Sequence, residues 1–479
     1  MRLGSVMPQL ATHPFSDLDI AGITADSRRV GPGMMFAAIP GVRVDGRAFI
    51  GEAVCRGAAA ILAPTGTLWP DNVARLPMIE AGGPRQVLAR AAATLAGRLP
   101  TTRVAVTGTN GKTSTVEFLR QLWSAGGKKA ASLGTLGLQA PGFPPGLGLT
   151  TPDPVSLAAT LAAIAKAGIE RVAIEASSHG LDQFRLDGIF PNAAAFTNLT
   201  RDHLDYHGTE AAYRAAKLRL FSELLSSGGV AVANADMEPE TLAALREIAA
   251  RRGLDLRTVG ENGRDIRLLR VMPRPDGQIL TLQIDGMTRE IGTNLPGRFQ
   301  ADNVMLALCL ATTLGEANAI EAVPAMTGVR GRMELACRLA NGAAVYVDYA
   351  HTPDALERLL VALRPHAAGR LHIVFGAGGD RDRGKRTLMG AIASKLADRA
   401  IVTDDNPRSE DPATIRAAIL AACPGAIEIG DRAFAIAAGL NDLGPGDVLV
   451  IAGKGHEQGQ TIAGVETPFD DIATVRRLA

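Results

Sequence analysis

Residues 104–115 read Val-Ala-Val-Thr-Gly-Thr-Asn-Gly-Lys-Thr-Ser-Thr. A short apolar strand runs into a glycine-rich turn, and a lysine followed by hydroxyl residues opens a helix. This order commits its surroundings to a strand–turn–helix unit, and the turn suits the phosphates of a nucleoside triphosphate. Backbone N–H groups of Gly108, Thr109, Asn110 and Gly111, and of the helix start at Lys112, Thr113 and Ser114, would face the phosphates. Lys112 can reach the outer phosphates, and the Thr113 hydroxyl can join a Mg²⁺ shell. The general pattern places its first glycine five residues before Gly111, but Val106 stands there and the glycine lies at 108, so the loop is compact. A purely structural glycine turn before a helix is the plainer alternative.

A chain of 479 residues suggests about three domains at roughly 150 residues each. The hydrophobic share of 47% supports large cores, and a formal net charge of +1 gives no reason to expect a nucleic-acid partner. Cys55, Cys309, Cys337 and Cys423 are widely spaced and read as small apolar residues in a reducing compartment. The first residues lead into no secretory apolar core, and no apolar run reaches the roughly 18 residues of a membrane span. The expectation is a cytoplasmic protein without membrane insertion, taken to be a monomer.

The chain divides by pattern into 1–98, 99–328 and 329–479. The first block has short strands such as 35–39 and an Ala- and Leu-rich helix at 84–97. In the second, strands Val104–Val106, Val172–Ile174, Ala193–Phe196 and Val230–Ala233 alternate with helices at 113–125, 155–167, 210–226 and 239–251. That alternation implies a mostly parallel sheet covered on both faces. The more polar stretch 264–292 reads as an antiparallel excursion, and Asp302 as the N-cap of a helix 303–314. The third block repeats the alternation, with strands at 345–347, 371–375, 400–402, 427–429 and 448–451 and helices at 354–363, 385–396, 412–422 and 431–440. The fold class is therefore α/β: a small N-terminal domain, a central P-loop domain and a C-terminal Rossmann-like, doubly wound domain. Ligands of such sheets bind at the carboxyl ends of strands, where this chain places its polar motifs.

One of these motifs begins at Glu175, at the end of strand 172–174. A carboxylate there suits a hard cation such as Mg²⁺; a cap for the next turn is the lesser alternative. After strand 193–196, His203 and His207 stand among Asp202 and Asp205. They could meet metal or phosphate, or serve as structural hydrogen-bonding residues; the spacing alone is weak as a zinc signal. Lys217 on helix 210–226 reads, by itself, as a solvated lysine.

With these motifs in order, the chain resembles the Mur ligases, and within them the UDP-N-acetylmuramoyl-tripeptide synthetases. The resemblance spans essentially the whole chain. It is carried by the P-loop, Thr24 to Arg28 with Pro32 and Gly33, Thr150 to Asp153, Glu175 to Leu181, Asp202 to Gly208, Ala216-Lys217, Gly331 to Glu334, Asp348 to Pro353, Gly378 to Arg386, Asp405 to Arg408 and Gly453 to Glu457. It implies that ATP phosphorylates the terminal carboxylate of UDP-MurNAc-L-Ala-D-Glu, and that an amino acid attacks the acyl phosphate. It further implies that Lys112, Glu175, His203 and Lys217 are catalytic, with Thr113, Glu175, His203 and Lys217 near the metal and Lys217 carrying a carbamate derived from CO₂. A carbamate turns an ammonium into an anion, and its formation needs a neutral amine, so the site would have to depress this lysine.

The resemblance also assigns contacts. Ser27, Thr150, Thr151, Ser177, Gln183 and Arg185 would hold the UDP-linked substrate, and Asn303 and Arg332 the ATP. Relatives often have Asn before the threonine pair; Leu149 here cannot make that polar contact. Val42 to Val44 lies where relatives meet the uridine nucleotide, but matches poorly. Arg381, Asp405, Asn406, Pro407, Arg408, Gly453 and Glu457 would bind the incoming amino acid. The run Asp405-Asn406-Pro407-Arg408 resembles that of enzymes that add meso-diaminopimelate, whose far-end carboxylate a guanidinium can hold through two N–H bonds. The same residues also make a turn before helix 412–422. L-lysine lacks that carboxylate, so a lysine-adding ligase is the first rival reading and a folylpolyglutamate synthase-like ligase the second.

Overall fold

The computed structural model describes residues 1–41, 44–144 and 148–479; Val42 and Arg43, weighed above as nucleotide contacts, lie outside them. The chain forms two compact units. One comprises residues 1–258 and 306–316, the other 259–305 and 317–479.

The first unit opens with four short parallel strands, Gly22–Thr24, Met34–Ala37, Ala60–Pro64 and Met78–Ala81, in that spatial order. Helix Pro84–Ala96 starts at a proline, whose missing N–H costs nothing at that position. It buries Leu88, Ala91 and Ala92 against these strands. Further along, strands Val230–Asn234, Ala193–Phe196, Thr102–Thr107, Arg171–Glu175 and Ala130–Gly134 run parallel in that order, with Gly137–Gln139 antiparallel at the edge. Their apolar side chains, among them Val172, Ile174, Ala194 and Phe196, are wholly buried. Apolar residues on both faces are what a covered parallel sheet requires. The helix expected over 210–226 is α-helical only over Glu210–Arg219 and continues as a π turn, Leu220–Leu224. The Leu225 N–H donates to the Leu220 carbonyl, and the wider turn brings Leu220, Phe221, Leu224 and Leu225 into the core together.

In the second unit, Ile266–Arg274, Gly277–Ile284 and Met287–Thr293 form the antiparallel excursion read from the sequence. Asp302 is not an N-cap: the helix runs Arg298–Thr313, and Asp302 lies one turn inside it, ion-paired with Arg298. The helix begins four residues earlier than its sequence signal indicates, which leaves Asp302 to pair with Arg298 across one turn. A six-stranded sheet follows, ordered Glu334–Arg338, Ala344–Asp348, Val448–Ala452, Leu371–Phe375, Arg399–Val402 and Ile427–Glu428; only the first pair is antiparallel. Ala344, Tyr346, Val448 and Val450 face one core, whereas Val345, Val347, Leu449 and Ile451 face the other. This alternation within buried strands is the doubly wound arrangement. Beyond it lie a hairpin, Gly459–Ile462 with Val465–Pro468, and helix Asp471–Leu478. No helix among the described residues is long and apolar enough to cross a membrane.

Candidate active site

Strand Thr102–Thr107 delivers the chain into the loop Gly108–Gly111, and helix Lys112–Ala125 leaves it. Gly108 has φ +142°, and a Cβ there would stand 1.9 Å from Thr197 Oγ1. Only glycine allows this approach. No side chain caps the helix start, so its first amides can serve an anion. The Thr109 N–H donates to the Asn198 carbonyl (2.9 Å), and the Asn110 N–H to Asn198 Oδ1 (3.0 Å). The loop after strand Ala193–Phe196 thus fixes the phosphate loop.

Lys112 folds back onto this loop, donating to the carbonyls of Gly108 (3.0 Å) and Thr109 (2.8 Å). Lys217 reaches the same Gly108 carbonyl (2.7 Å) from helix Glu210–Arg219 and sits over the Tyr213 ring. Lys217 is only 1% exposed. Burial, and then the Lys112 charge, push its ammonium from the usual 10.5 down to about 6, against the pull of Asp202. Burial lowers Lys112 too, opposed by Glu175 and Asp202.

Glu175 is the last residue of its strand and is 1% exposed. Its Oε1 accepts from the Thr113 hydroxyl (2.9 Å) and the Thr135 N–H (2.8 Å). Gly134 leaves room for it, since a Cβ there would lie 2.1 Å from Oε1. Burial raises this carboxyl, partly offset by Lys112. A buried carboxylate beside a threonine hydroxyl is a donor set that fits a hard cation. His203 has φ +51° at the start of the short helix Leu204–His207. Its ring meets that of His179 edge-on at 4.9 Å, and its Nε2 lies 3.5 Å from Asp202. Among the described residues no group of three or more His, Cys, Asp or Glu is placed to hold a metal ion. A cation beside Thr113 and Glu175 would therefore depend on further oxygens from its ligand or from a modified Lys217.

The expected UDP-substrate residues join into one network, apart from Ser27. Thr150 and Thr135 share a hydroxyl hydrogen bond of 3.1 Å. The Thr151 hydroxyl donates to the Glu175 carbonyl (2.8 Å) and accepts from the Ser177 N–H (2.9 Å). Ser177 caps the following helix through the Gly180 N–H (3.0 Å). Arg185 donates to the Thr151 carbonyl (2.6 Å) and to Gln183 Oε1 (2.7 Å), while Gln183 donates to the Tyr206 hydroxyl (3.1 Å). Tyr206 and Thr135 belong to this network, although neither was picked out from the sequence. Ser27 does not join it: it opens the 3-10 turn Ser27–Arg29 that follows strand Gly22–Thr24, and its hydroxyl donates to Glu52 (2.7 Å).

Asn303 and Arg332 belong to the second unit. Asn303 is buried and donates to Gln300 Oε1 (3.0 Å), and the Arg332 guanidinium lies over the Tyr349 ring at 5.2 Å. In the same unit, the residues expected to bind the amino acid gather at the carboxyl ends of the sheet. Gly379 N–H donates to the Asn406 carbonyl (2.9 Å), and Ser409 Oγ to Asp380 Oδ1 (2.6 Å), which braces the Arg381 and Arg408 loops together. Asp380 and Arg408 both lie in the left-handed region, at φ +55° and +54°. Arg408 Nη1 donates to the Gly379 carbonyl (2.8 Å). Neither Arg381 nor Arg408 forms an ion pair among the described residues. Asn406 donates to Glu457 Oε2 (2.8 Å) and accepts from the fully buried Lys454 (3.2 Å). Gly453, at φ +118°, lets the Asp405 carboxylate approach: a Cβ there would meet Oδ2 at 2.2 Å. That Oδ2 has no hydrogen-bond partner, and burial raises the carboxyl against Arg432 and Lys454. Lys454 lay inside a motif read from the sequence, but its burial could be seen only once strands Arg399–Val402 and Val448–Ala452 were placed.

A phosphate loop on a parallel sheet in one unit, and a doubly wound unit with Arg381 and Arg408 on loops at its strand ends, fit a nucleotide-dependent enzyme. Three family models account for most of the chain: "Mur ligase family, catalytic domain" over 19–96, "Mur ligase middle domain" over 106–311 and "Mur ligase, glutamate ligase domain" over 331–455. The UDP-N-acetylmuramoyl-L-alanyl-D-glutamate–2,6-diaminopimelate ligase of Caulobacter vibrioides is 53% identical over 478 residues, covering 98% of this chain and 97% of its own. The protein of the same name from Rhizobium meliloti is 50% identical, with 99% and 98% covered. A solved structure of a ligase of that name superposes with a TM-score of 0.80 at 34% identity, covering 100% of this chain and 98% of its own. The chain belongs to the Mur ligase family.

Proposed function

We propose that the protein is the ATP-dependent ligase that adds meso-diaminopimelate to UDP-MurNAc-L-Ala-D-Glu in the synthesis of peptidoglycan precursors, acting in the cytoplasm. Domains 1–98, 99–328 and 329–479 would take the UDP moiety, ATP and the amino acid in turn. The observation that carries the choice of amino acid is Arg408: a half-buried guanidinium with no carboxylate partner among the described residues, on a loop whose Asn406 donates to Glu457. Diaminopimelate brings the carboxylate it lacks. L-lysine would leave it unpaired.

The Gly108 and Gly111 amides, the first amides of helix Lys112–Ala125 and Lys112 would bind and orient the triphosphate, while the Thr109 and Asn110 amides are held by Asn198. The γ-phosphoryl group passes to the dipeptide's terminal carboxylate and ADP leaves. The diaminopimelate amine then attacks the acyl carbon, forms the amide, releases phosphate and gives up a proton. Thr151, Ser177, Gln183 and Arg185 would align the dipeptide, and Glu457 would receive an ammonium. Mg²⁺, held at Thr113 and Glu175, with His203 and a carbamylated Lys217 near, would supply charge neutralisation on the phosphoryl oxygens. The depressed Lys217 amine supports the carbamate, because it is largely neutral at physiological pH.

The test is phosphate release with ATP, Mg²⁺ and UDP-MurNAc-L-Ala-D-Glu, with either meso-diaminopimelate or L-lysine, and the product identified by mass. Release with diaminopimelate is expected. Release with lysine alone would overturn the reading of Arg408, and release with neither would overturn the ligase assignment.

A further inference from the structure

The hairpin Gly459–Ile462 and Val465–Pro468 holds the Asp405–Arg408 loop by its polar groups. Gln460 is 7% exposed, and its side-chain N–H₂ donates to two successive carbonyls, Asp405 (2.9 Å) and Asp404 (3.3 Å). The Thr461 N–H donates to Asn406 Oδ1 (3.0 Å), the Arg408 N–H to the Thr461 carbonyl (3.0 Å) and the Gly464 N–H to the Arg408 carbonyl (3.3 Å). Strand Val465–Pro468 is exposed along its whole length, so the hairpin adds almost nothing to a core. Its bonds instead enclose a residue in an unfavourable conformation. Arg408 is neither glycine nor asparagine, yet holds φ +54°, a state that persists only where neighbours over-determine it. Both backbone polar groups of Arg408 are spent on the hairpin, and this aims its guanidinium over Gly378 and Gly379.

We propose that Gln460 is a positioning residue for amino-acid specificity. By clamping the Asp404 and Asp405 carbonyls to the hairpin, it keeps Arg408 left-handed and its guanidinium aimed at the far-end carboxylate of the incoming amino acid. This rests on the reading of Arg408 given above. Gln460 itself touches no substrate. Its loss leaves the Asp405 carbonyl without this donor and the Asp404 carbonyl with only the longer bond from Arg432 (3.4 Å), and lets Arg408 relax to an ordinary backbone region, which swings the guanidinium away.

The test compares wild type, Gln460→Leu, Gln460→Asn, Arg408→Lys and the Gln460→Leu/Arg408→Lys double variant. For each, kcat and KM are measured for meso-diaminopimelate and L-lysine at saturating ATP and UDP-MurNAc-L-Ala-D-Glu. Gln460→Leu is expected to raise the diaminopimelate KM roughly tenfold, the scale of one buried hydrogen bond, with kcat and the ATP KM changed less than about twofold. The preference over lysine should narrow by the same factor. Gln460→Asn, which keeps the amide but shortens its reach, should move KM in the same direction and covers the case of a Leu variant that does not fold. In the Arg408→Lys background the Leu change should add less than about twofold, because residues acting through one group are not additive. Additive losses, an unchanged diaminopimelate KM, or equal losses for lysine overturn the proposal. A wild-type enzyme that ignores diaminopimelate instead overturns the Arg408 reading beneath it, so the two failures are distinct.

Discussion

Lys112 and Lys217 donate to one carbonyl oxygen, that of Gly108, at 3.0 and 2.7 Å. Burial, and then the nearby Lys112 charge, bring Lys217 down to about 6. The arrangement favours one cation and one neutral amine. The proposed addition of CO₂ to this amine would release a proton and place an anion next to Lys112. Lys217→Ala should therefore lower phosphate release by at least about a hundredfold, the scale of losing one electrostatic group of a preorganised site. Added short carboxylates should restore part of it. Turnover left intact in the alanine variant would remove the carbamate from the mechanism.

The same depressed amine makes stability depend on pH. Its folded value, about 6, lies below the usual 10.5. Between those values the unfolded chain holds a proton there that the folded chain lacks, so this group's contribution to stability rises with pH and falls as pH drops from about 10 to about 6. Lys217→Met abolishes the effect. In carbonate-free buffer the stability gain of the Met variant should shrink by about 1.4 kcal/mol per pH unit between pH 7 and pH 9. Urea unfolding at several pH values reads this directly; an offset independent of pH would mean that the lysine stays charged in the fold.

Arg408 has no carboxylate of its own, so Arg408→Ala should cost little stability and should act on amino-acid choice. The diaminopimelate KM should rise by at least about tenfold to a hundredfold, as expected for the loss of a charge-assisted pair, with lysine use scarcely altered. Equal harm to both amino acids, in parallel assays, would make Arg408 a structural residue only.

The alternation of short apolar strands with helices was legible because each depends on local pattern, and so was the phosphate loop, where Gly108, Gly111 and Lys112 act within one turn. Glu175 could be placed because a strand's end is visible in sequence. The π turn at Leu220–Leu224 was not, since its α-like spacing hides one extra residue in the turn. The hairpin after Gly459 escaped for another reason. Its strands carry no apolar alternation, and its turn puts Ala463 as well as Gly464 at positive φ, against the preference of alanine. Gln460, Lys454 and Arg432 gain their roles from partners 20 to 56 residues away, and no local pattern announces those.

Gly108→Ala tests whether the compact loop tolerates any side chain. The new Cβ meets Thr197 Oγ1 at 1.9 Å and a backbone at φ +142°. Strain and displacement together should cost roughly 2–4 kcal/mol, read as a lower melting temperature. ADP binding, measured by titration, should weaken at least about tenfold, because the loop amides no longer converge. Normal binding with normal melting would show that the loop can shift without loss.

Arg432 and Asp471 are paired through two bonds of 2.7 Å with both side chains at 0% exposure. Arg432 also donates to the carbonyls of Ala452 (3.1 Å) and Asp404 (3.4 Å), the residues just ahead of Gly453 and Asp405. Helix Asp471–Leu478 thus neutralises a cation that ties together the two loops proposed to hold the amino acid. Asp471→Asn strands a buried guanidinium and should cost about 3–5 kcal/mol, whereas Arg432→Met with Asp471→Leu should recover most of it, since an apolar pair of similar volume needs no desolvation. The double variant should nevertheless keep a raised diaminopimelate KM, because the bridge from Arg432 between the Ala452 and Asp404 carbonyls is gone and Asp404 keeps only its bond from Gln460. Urea unfolding and amino-acid kinetics on the same proteins separate the two effects. If KM recovers together with stability, the pair serves only the fold; if stability recovers alone, the pair is retained for the geometry of the pocket.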